Sequence, residues 1–205
     1  MNQFVSPPTE PVPTLPDYPG IALNQIILVQ NQTQLDLART NLLSHLCLGY
    51  DTESKPVFTA GKESDGPHLI QLATEELAFL FPLVSSEQIS FSRELLREVF
   101  ESDQIKKVGF GLSDDNQMLS RKLGIRIANV LDLSRSLSDS RKKQMGAKRA
   151  VEKYFGQVLQ KSKRVSTSNW AAERLTDKQL KYAADDAQSA LLVYLLATAQ
   201  ISLKP

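Results

Sequence analysis

The segment from Leu48 to Pro56 starts with apolar residues and then places two carboxylates, Asp51 and Glu53, at alternate positions. Residues two apart on a β-strand point to the same face of a sheet. A strand here would therefore hold both carboxylates side by side, and Pro56 would end its pairing with neighbouring strands. Two like charges held that close need a cation or a shared proton. The segment thus predicts a strand that supplies part of a binding or catalytic site.

Length and composition limit the classes of protein that fit this chain. With 205 residues, 41% of them hydrophobic, the chain is long enough for one sizeable core. Cys47 is the only cysteine, which excludes a disulfide framework and a thiolate metal cluster, and two histidines argue against an imidazole-rich zinc site. The sequence shows no signal peptide and no apolar run of the ~20 residues that a membrane span needs. We therefore expect a cytoplasmic protein.

Positive charge is concentrated between residues 141 and 164. This segment holds nine Lys or Arg residues against one acid, Glu152, although the whole chain has a formal net charge of +1. The segment therefore has a charge of +8 and the remainder has −7. An acidic body with one basic segment favours a polyanionic partner on one side of the molecule. A solvated helix face followed by a loop explains the same pattern equally well.

The N-terminal segment is rich in proline. Six of the ten prolines lie between residues 6 and 19, where large apolar residues are few. Such a segment is expected to be extended and poorly packed. We therefore predict a flexible N-terminal arm over residues 1–22 and one folded domain over residues 23–205.

Short apolar runs and helical periodicity predict the order of strands and helices. The expected strands lie at residues 26–30, 47–51, 68–73, 77–83, 106–110 and 127–131. The three consecutive strands between residues 47 and 83 are predicted to be antiparallel, and the later strands alternate with helices, which indicates parallel crossover units. The expected fold is an α/β mixed sheet flanked by helices.

Two further stretches hold acids at informative positions. Asp115 falls in the first turn of a helix that follows a Gly-x-Gly turn, where the helix dipole stabilises an anion. Tyr182 and Asp186 are four residues apart, so on a helix they lie on one side, one turn from each other. Asp185 lies about 100° around the helix from Asp186 and cannot easily reach the same site. Ordinary helix-start acids, or a solvated Asp pair beside a half-buried Tyr, explain each stretch equally well when it is taken alone.

Three stretches together resemble the exonuclease motifs of the DEDD (DnaQ-like) 3′-5′ exonucleases. They are Gly49-Tyr50-Asp51-Thr52-Glu53, Lys107-Val108-Gly109-Phe110-Gly111-Leu112-Ser113-Asp114-Asp115, and Gln179-Leu180-Lys181-Tyr182-Ala183-Ala184-Asp185-Asp186-Ala187, the last preceded by Asn169-Trp170. Order and spacing resemble those of the family over about residues 25–200. Within this family, the sequence resembles RNase D and the exonuclease domain of the Werner-syndrome helicase, which belong to the DEDDy subclass. The sister subclass has a His where this chain has Lys181.

This resemblance implies a ribonuclease-H-like fold and a metal-dependent 3′-5′ exonuclease that releases nucleoside 5′-monophosphates. It implies that two divalent cations are bound, that Asp51 bridges them, and that Tyr182 orients the attacking water. The implied metal ligands are Asp51, Glu53, Asp115 and Asp186. Asp115, rather than Asp114, has the Gly-x-x-x-Asp spacing from Gly111.

Physical chemistry agrees with a metal site. Carboxylates select hard cations such as Mg²⁺ or Mn²⁺, and two such cations can activate a water and stabilise the leaving 3′ oxygen. A glycosidase-type acid pair from Asp51 and Glu53 leaves the later motif residues unexplained. A second alternative is a catalytically silent nucleic-acid-binding module on the same fold. Such modules usually lose an acid, and none is missing here.

Basic residues near the motifs are candidate contacts to the phosphates of a single-stranded or 3′-recessed nucleic acid. They are Lys55, Lys148, Arg149, Lys161, Lys163 and Arg164. The last three are expected in a loop before Trp170, which either stacks on a base or belongs to the core. The choice between DNA and RNA depends on space for the 2′-hydroxyl, which the sequence does not show.

Overall fold

One mixed sheet of six strands lies at the centre of the computed structural model, which describes residues 14–57, 64–138 and 144–202. The strands are β1 (Ile26–Leu28), β2 (Cys47–Glu53), β3 (Leu69–Ala73), β4 (Ala78–Pro82), β5 (Lys106–Gly109) and β6 (Val130–Asp132). Their order across the sheet is β1-β4-β3-β2-β5-β6. Strands β2, β3 and β4 pair antiparallel, whereas β1, β5 and β6 run parallel to their neighbours. The predicted ribonuclease-H-like mixed α/β sheet is confirmed.

Helices cover both faces of the sheet. They are α1 (Gln32–Leu43), α2 (Ser86–Glu101), α3 (Ser113–Leu123), α4 (Leu133–Ser136), α5 (Ala147–Phe155), α6 (Lys163–Ser166) and α7 (Asp177–Ser202). Apolar residues of α1, α2 and α3 pack together on one face, and small residues of α7 pack on the other. Within the described parts of the chain, no helix is long and apolar enough to cross a membrane.

A capping box fixes the start of α7. Thr176 Oγ1 accepts a hydrogen bond from the backbone N–H of Gln179 at 3.3 Å, and Gln179 Oε1 accepts one from the backbone N–H of Thr176 at 3.0 Å. This reciprocal pair satisfies backbone donors at the first turn of the helix. It therefore also sets the angular positions of Tyr182 and Asp186 farther along α7.

Each strand differs from the sequence prediction by at least one residue at one end, and the largest differences are in β1, β2 and β6. Strand β1 ends at Leu28 rather than at residue 30. Strand β2 continues to Glu53, because both of its acids and the residue between them pair with β3. Strand β6 begins at Val130 rather than at Ile127. Asn129 has a φ of 48°, and a residue in the left-handed region interrupts an extended strand.

Part of the predicted flexible arm packs against the domain. Tyr18 and Ile21 are buried, and Tyr18 donates its backbone N–H to a carbonyl in the segment after α5 at 2.9 Å. Ile21 donates its backbone N–H to Asp185 Oδ1 at 3.0 Å. The prediction of a poorly packed segment is therefore wrong for residues 17–21, because these two large apolar side chains gain burial beside α7. Residues 1–13 of the predicted arm lie outside the described residues.

Helix α7 lies very close to β2. A Cβ on Gly49 would collide with the backbone carbonyl of Ala187. Alanines along α7 are fully buried against the sheet. Small residues on both elements thus let the helix backbone approach the strand, and this approach brings Asp186 beside Asp51.

Candidate active site

Carboxylates from a strand and a helix meet at one end of β2. Asp51 and Glu53 stand two residues apart on β2, and Asp186 comes from α7. One carboxylate oxygen from each of these three residues lies within 4.8 Å of the others. We call this group the carboxylate cluster. Strand alternation places the two β2 acids on the same face, as predicted, and α7 covers that face.

The cluster is desolvated, and its members repel one another. Burial raises the pKa of Asp51, and the charges of Asp186 and Asp115 raise it further. Burial, followed by the charges of Asp51 and Asp186, raises the pKa of Glu53. Burial also raises the pKa of Asp186. Ionised carboxylates are therefore costly at this position unless a cation compensates them.

The donor set fits a hard divalent cation. Its three candidate ligands are all carboxylates, and their oxygens are close enough to share one ion. Mg²⁺ and Mn²⁺ prefer oxygen ligands, whereas softer metals prefer sulfur or imidazole. A bound divalent cation would also favour the ionised form of the three carboxylates, which burial disfavours.

A lysine reaches into the carboxylate cluster. Lys161 Nζ lies 2.9 Å from Asp186 Oδ2 and 5.7 Å from the centre of the Tyr182 ring. Burial opposes the charged ammonium, but the charges of Asp186 and Asp51 outweigh burial and raise the pKa of Lys161. Its side chain is 31% exposed. Lys161 therefore supplies a positive charge to the cluster, whereas the sequence indicated only a phosphate contact.

Lys161→Met is expected to destabilise the metal-free protein by about 1–2 kcal/mol, because the carboxylate cluster loses its cation. The expected loss is smaller than the roughly 3–5 kcal/mol for breaking a fully buried pair, since part of the lysine side chain reaches water. Urea denaturation in EDTA measures the difference. Lys163→Met, at an exposed position of α6, is the matched control and should stay within about 0.5 kcal/mol of wild type. Equal unfolding free energies for the two variants would contradict this role of Lys161.

Asp115 approaches the cluster from another element. It lies in the first turn of α3 and is partly buried, whereas Asp114 is exposed. Burial raises the pKa of Asp115, and a contact with Thr52 opposes that rise. The charge of Asp115 contributes to the raised pKa of Asp51, although Asp115 is not a member of the carboxylate cluster. The structure thus places Asp115 near the cluster but does not bring all four predicted ligands together.

The turn that leads to Asp115 is held by Asp132. Oδ1 of Asp132 accepts the backbone N–H of Gly111 at 2.9 Å and that of Ser134 at 2.9 Å, and Oδ2 accepts that of Leu112 at 3.2 Å. Gly111 has a φ of 72°, which glycine adopts without strain. The three sequence motifs do not include Asp132, because only the pairing of β5 with β6 brings it to this turn.

Tyr182 stands beside the cluster, one helical turn before Asp186. Its ring packs against Trp170 with 6.1 Å between ring centres. Burial and the charge of Asp186 raise the pKa of Tyr182 to about 12. The phenol therefore keeps its proton at neutral pH and can both donate and accept a hydrogen bond. Asp185 points elsewhere, as its helical position predicts, and pairs with Lys181 at 2.6 Å between Nζ and Oδ2.

Trp170 is a core residue. Its side chain is 1% exposed, packs with Leu80 and Ala183, and donates Nε1–H to the backbone carbonyl of Ser166 at 3.1 Å. The predicted nucleic-acid contact at Trp170 is therefore wrong, because burial of the indole in this apolar cluster removes it from the surface. Its role at the site is to support the ring of Tyr182.

The other predicted phosphate contacts are exposed and lie on several elements. They are Lys55 after β2, Lys148 and Arg149 in α5, and Lys163 and Arg164 in α6. The last two stand in a short helix and not in the predicted loop. Exposure leaves these cations accessible to a polyanion, and their binding role stays a prediction. Residues 58–63 and the basic residues 141–143 lie outside the described residues.

Gln71 is a polar residue beside the cluster that the motifs do not include. It lies on β3 directly opposite Asp51 on β2, and its side chain is fully buried. The sequence does contain a signal for it. An amide interrupts the otherwise apolar run Leu69-Ile70-Gln71-Leu72-Ala73.

The chain is similar to exonucleases over most of its length. Residues 26–197 match the family model described as 3′-5′ exonuclease. Exonuclease 3′-5′ domain-containing protein 2 of Drosophila melanogaster is 34% identical over 148 residues. The bifunctional 3′-5′ exonuclease/ATP-dependent helicase WRN of Mus musculus is 28% identical over 149 residues. Each of these alignments covers 72% of this chain, but only 24% of the fly protein and 10% of the mouse protein.

A solved structure has the same fold. Trypanosoma brucei RNase D in complex with RNA U12 superposes with a TM-score of 0.71 at 23% sequence identity, over 83% of this chain and 61% of that chain. This similarity concerns the fold, and the family match over residues 26–197 concerns the sequence. With the three motifs in place, the chain belongs to the DEDD superfamily of 3′-5′ exonucleases.

Proposed function

We propose that this domain is a metal-dependent 3′-5′ exonuclease that hydrolyses phosphodiester bonds and releases nucleoside 5′-monophosphates. The observation that supports the proposal most directly is the carboxylate cluster of Asp51, Glu53 and Asp186, with oxygens within 4.8 Å of one another. The family match supports the reaction class. The cluster supplies the oxygen ligands that metal-assisted phosphoryl transfer needs.

Two divalent cations, Mg²⁺ or Mn²⁺, are the proposed cofactors. Asp51, Glu53 and Asp186 would hold one cation, and Asp51 together with Asp115 would hold the second. Such cations lower the pKa of a bound water and neutralise charge on the phosphate. Because Asp115 stands apart from the cluster, this chain offers the second cation fewer ligands, and we expect that cation to bind more weakly.

Two residues of this chain would act on water and phosphate. Tyr182, whose raised pKa keeps its phenol protonated, would orient the attacking water by a hydrogen bond. Lys161 has a flexible stem and a partly exposed side chain, so its ammonium can turn from Asp186 toward a phosphate oxygen of the substrate. Burial of the cluster keeps these interactions in a medium of low dielectric constant, where they are strong.

The proposed substrate is a single-stranded or 3′-recessed nucleic acid. Trypanosoma brucei RNase D was solved with RNA U12, which makes RNA the first class to test for this chain. Exposed cations on α5 and α6 would contact the phosphates of the strand without reading its sequence. DNA offers the same phosphates, and the choice between the two depends on the space around the 2′-hydroxyl.

Matched DNA and RNA oligonucleotides test the proposal. Labelled strands, single-stranded or with a recessed 3′ end, are incubated with the protein and Mg²⁺ or Mn²⁺. We expect shortening from the 3′ end, mononucleotide products, no activity in Asp51→Asn, and no activity in EDTA. Degradation that is equal in wild type and variant, or that persists in EDTA, would contradict the proposal. Salt-sensitive binding without turnover would instead support the silent module.

Tyr182→Phe is expected to lower turnover by about 10–100-fold, because it removes the hydroxyl that orients the water. The ring remains able to pack against Trp170. Mn²⁺ affinity, measured by isothermal titration calorimetry, should stay close to that of wild type, because the phenol is not among the carboxylate ligands. Tyr154→Phe, on α5, is the matched control and should be fully active. Unchanged turnover in Tyr182→Phe would remove the phenol from the mechanism.

A further inference from the structure

Gln71 lies in the middle of β3 without a polar partner. Its side chain is 0% exposed, and neither Nε2 nor Oε1 has a hydrogen-bond partner among the described residues. A buried amide that is left unpaired is costly, because it loses the water that solvates it in the unfolded chain. Stability alone therefore favours an apolar residue at this position.

The residues that flank Gln71 in the sheet include one possible hydrogen-bond partner for its amide. Its cross-strand neighbour on β4 is Leu80, and the residues before and after it on the same face of β3 are Leu69 and Ala73. These three residues are apolar and fully buried. The cross-strand neighbour on β2 is Asp51. Directly opposite residues on antiparallel strands share a face, with Cβ atoms about 4.5–5.5 Å apart, so a glutamine side chain can reach the Asp51 carboxylate.

Asp51 can accept such a bond and still bind a cation. Its Oδ1 accepts the backbone N–H of Thr52 at 2.9 Å. A carboxylate has about four acceptor sites, so further sites remain for an amide and a metal ion. The amide is also neutral. Unlike the ammonium of Lys161, it does not compete with a divalent cation for the carboxylate cluster.

We propose that Gln71 is a positioning residue, whose unpaired Nε2 turns toward the Asp51 carboxylate, donates a hydrogen bond to it and orients it for cation binding. Carboxylates that ligate metals are themselves hydrogen-bonded, and loss of such a partner typically lowers metal affinity about 10–100-fold. The consequence for turnover rests on the proposed function. The consequence for cation affinity rests only on the carboxylate cluster.

Gln71→Met separates this role from a purely structural one. Met has a similar length and no unpaired polar atom, so the metal-free variant should be as stable as wild type or more stable in urea with EDTA. Its affinity for Mn²⁺ alone, measured by isothermal titration calorimetry, should fall about tenfold. With an oligonucleotide substrate, kcat should fall and KM should change little.

Gln188→Met is the matched control. Gln188 is also buried, but its Nε2 donates to the backbone carbonyl of Glu75 at 2.7 Å and its Oε1 accepts from Tyr18 Oη at 3.2 Å. The control should therefore lose stability and keep its Mn²⁺ affinity. Gln71→Asn keeps the amide but shortens its reach, so it should also lose Mn²⁺ affinity. It serves as the test variant if Gln71→Met does not fold.

The outcomes distinguish this inference from the proposed function. Wild-type Mn²⁺ affinity in a folded Gln71 variant would overturn the positioning role, whatever its turnover. A wild-type protein that binds Mn²⁺ but degrades neither DNA nor RNA would overturn the exonuclease proposal. In that case, reduced Mn²⁺ affinity in Gln71→Met would still support the positioning role.

Discussion

Asp51→Asn is expected to reduce exonuclease turnover about a thousandfold or more and, at the same time, to stabilise the metal-free protein. Asp51 belongs to the carboxylate cluster with Glu53 and Asp186, and the charge of Asp115 also raises its pKa. Asn keeps the shape of the side chain but removes the negative charge that a hard cation requires. A thousandfold loss corresponds to about 4 kcal/mol of transition-state stabilisation.

The expected gain in stability follows from the direction of the pKa shift. Burial and the charge of Asp186 raise the pKa of folded Asp51 above its value of 3.8 in the unfolded chain. Stability from this group is therefore fully present below the unfolded pKa and is lost as the pH rises through the folded pKa. At neutral pH and without metal, folding must either protonate Asp51, whose pKa rises to about 8, or bury its negative charge, and both oppose folding. Removing the charge should therefore increase the free energy of unfolding in EDTA by about 1–3 kcal/mol.

Turnover with Mn²⁺ and urea denaturation in EDTA check the two parts of this prediction. Asp114→Asn is the matched control, because Asp114 is exposed on α3 next to Asp115. It should stay fully active and within about 0.5 kcal/mol of wild-type stability. An Asp51→Asn protein less stable than wild type in EDTA would mean that hydrogen bonds to the carboxylate outweigh its desolvation.

Local periodicity was sufficient to predict how the acids are oriented within each element. Asp51 and Glu53 share a face because β2 is extended, whichever strands pair with it. Asp186, rather than Asp185, reaches the cluster because the capping box sets the phase of α7. Periodicity cannot show which distant elements meet. The motif resemblance supplied that information, and the described sheet order is consistent with it.

Predictions failed where the outcome depends on tertiary packing. Trp170 is buried because the space between α7 and the sheet accommodates an indole, and no local pattern reports that space. Tyr18 and Ile21 pack beside α7, although the composition of their segment is that of an unpacked arm. Lys161 pairs with Asp186 because the segment between α5 and α6 places its side chain beside α7. The sequence shows that Lys161 is basic, but it does not show that this lysine lies beside Asp186 in the carboxylate cluster.

Gly49→Ala is expected to lower the free energy of unfolding by about 3 kcal/mol or more. The added Cβ would collide with the backbone carbonyl of Ala187 and press on the Cβ of Leu191. The carbonyl cannot yield by a side-chain rotation, since it belongs to the interior of a 26-residue helix packed along the sheet. Gly146→Ala is the matched control, because an added Cβ would have no described atom beyond its immediate chain neighbours within 4 Å, and the φ of Gly146 is −89°. The control should cost less than about 1 kcal/mol.

The same change should impair the active site, because α7 must move away from β2 and takes Asp186 and Tyr182 with it. A misplacement of about 1 Å can cost about a hundredfold in rate. Mn²⁺ affinity and turnover are therefore expected to fall together in Gly49→Ala, even at temperatures where the variant is folded. A variant as stable as wild type would mean that α7 does not lie this close to β2. The separation of Asp51 from Asp186, on which the carboxylate cluster depends, would then be wrong as well.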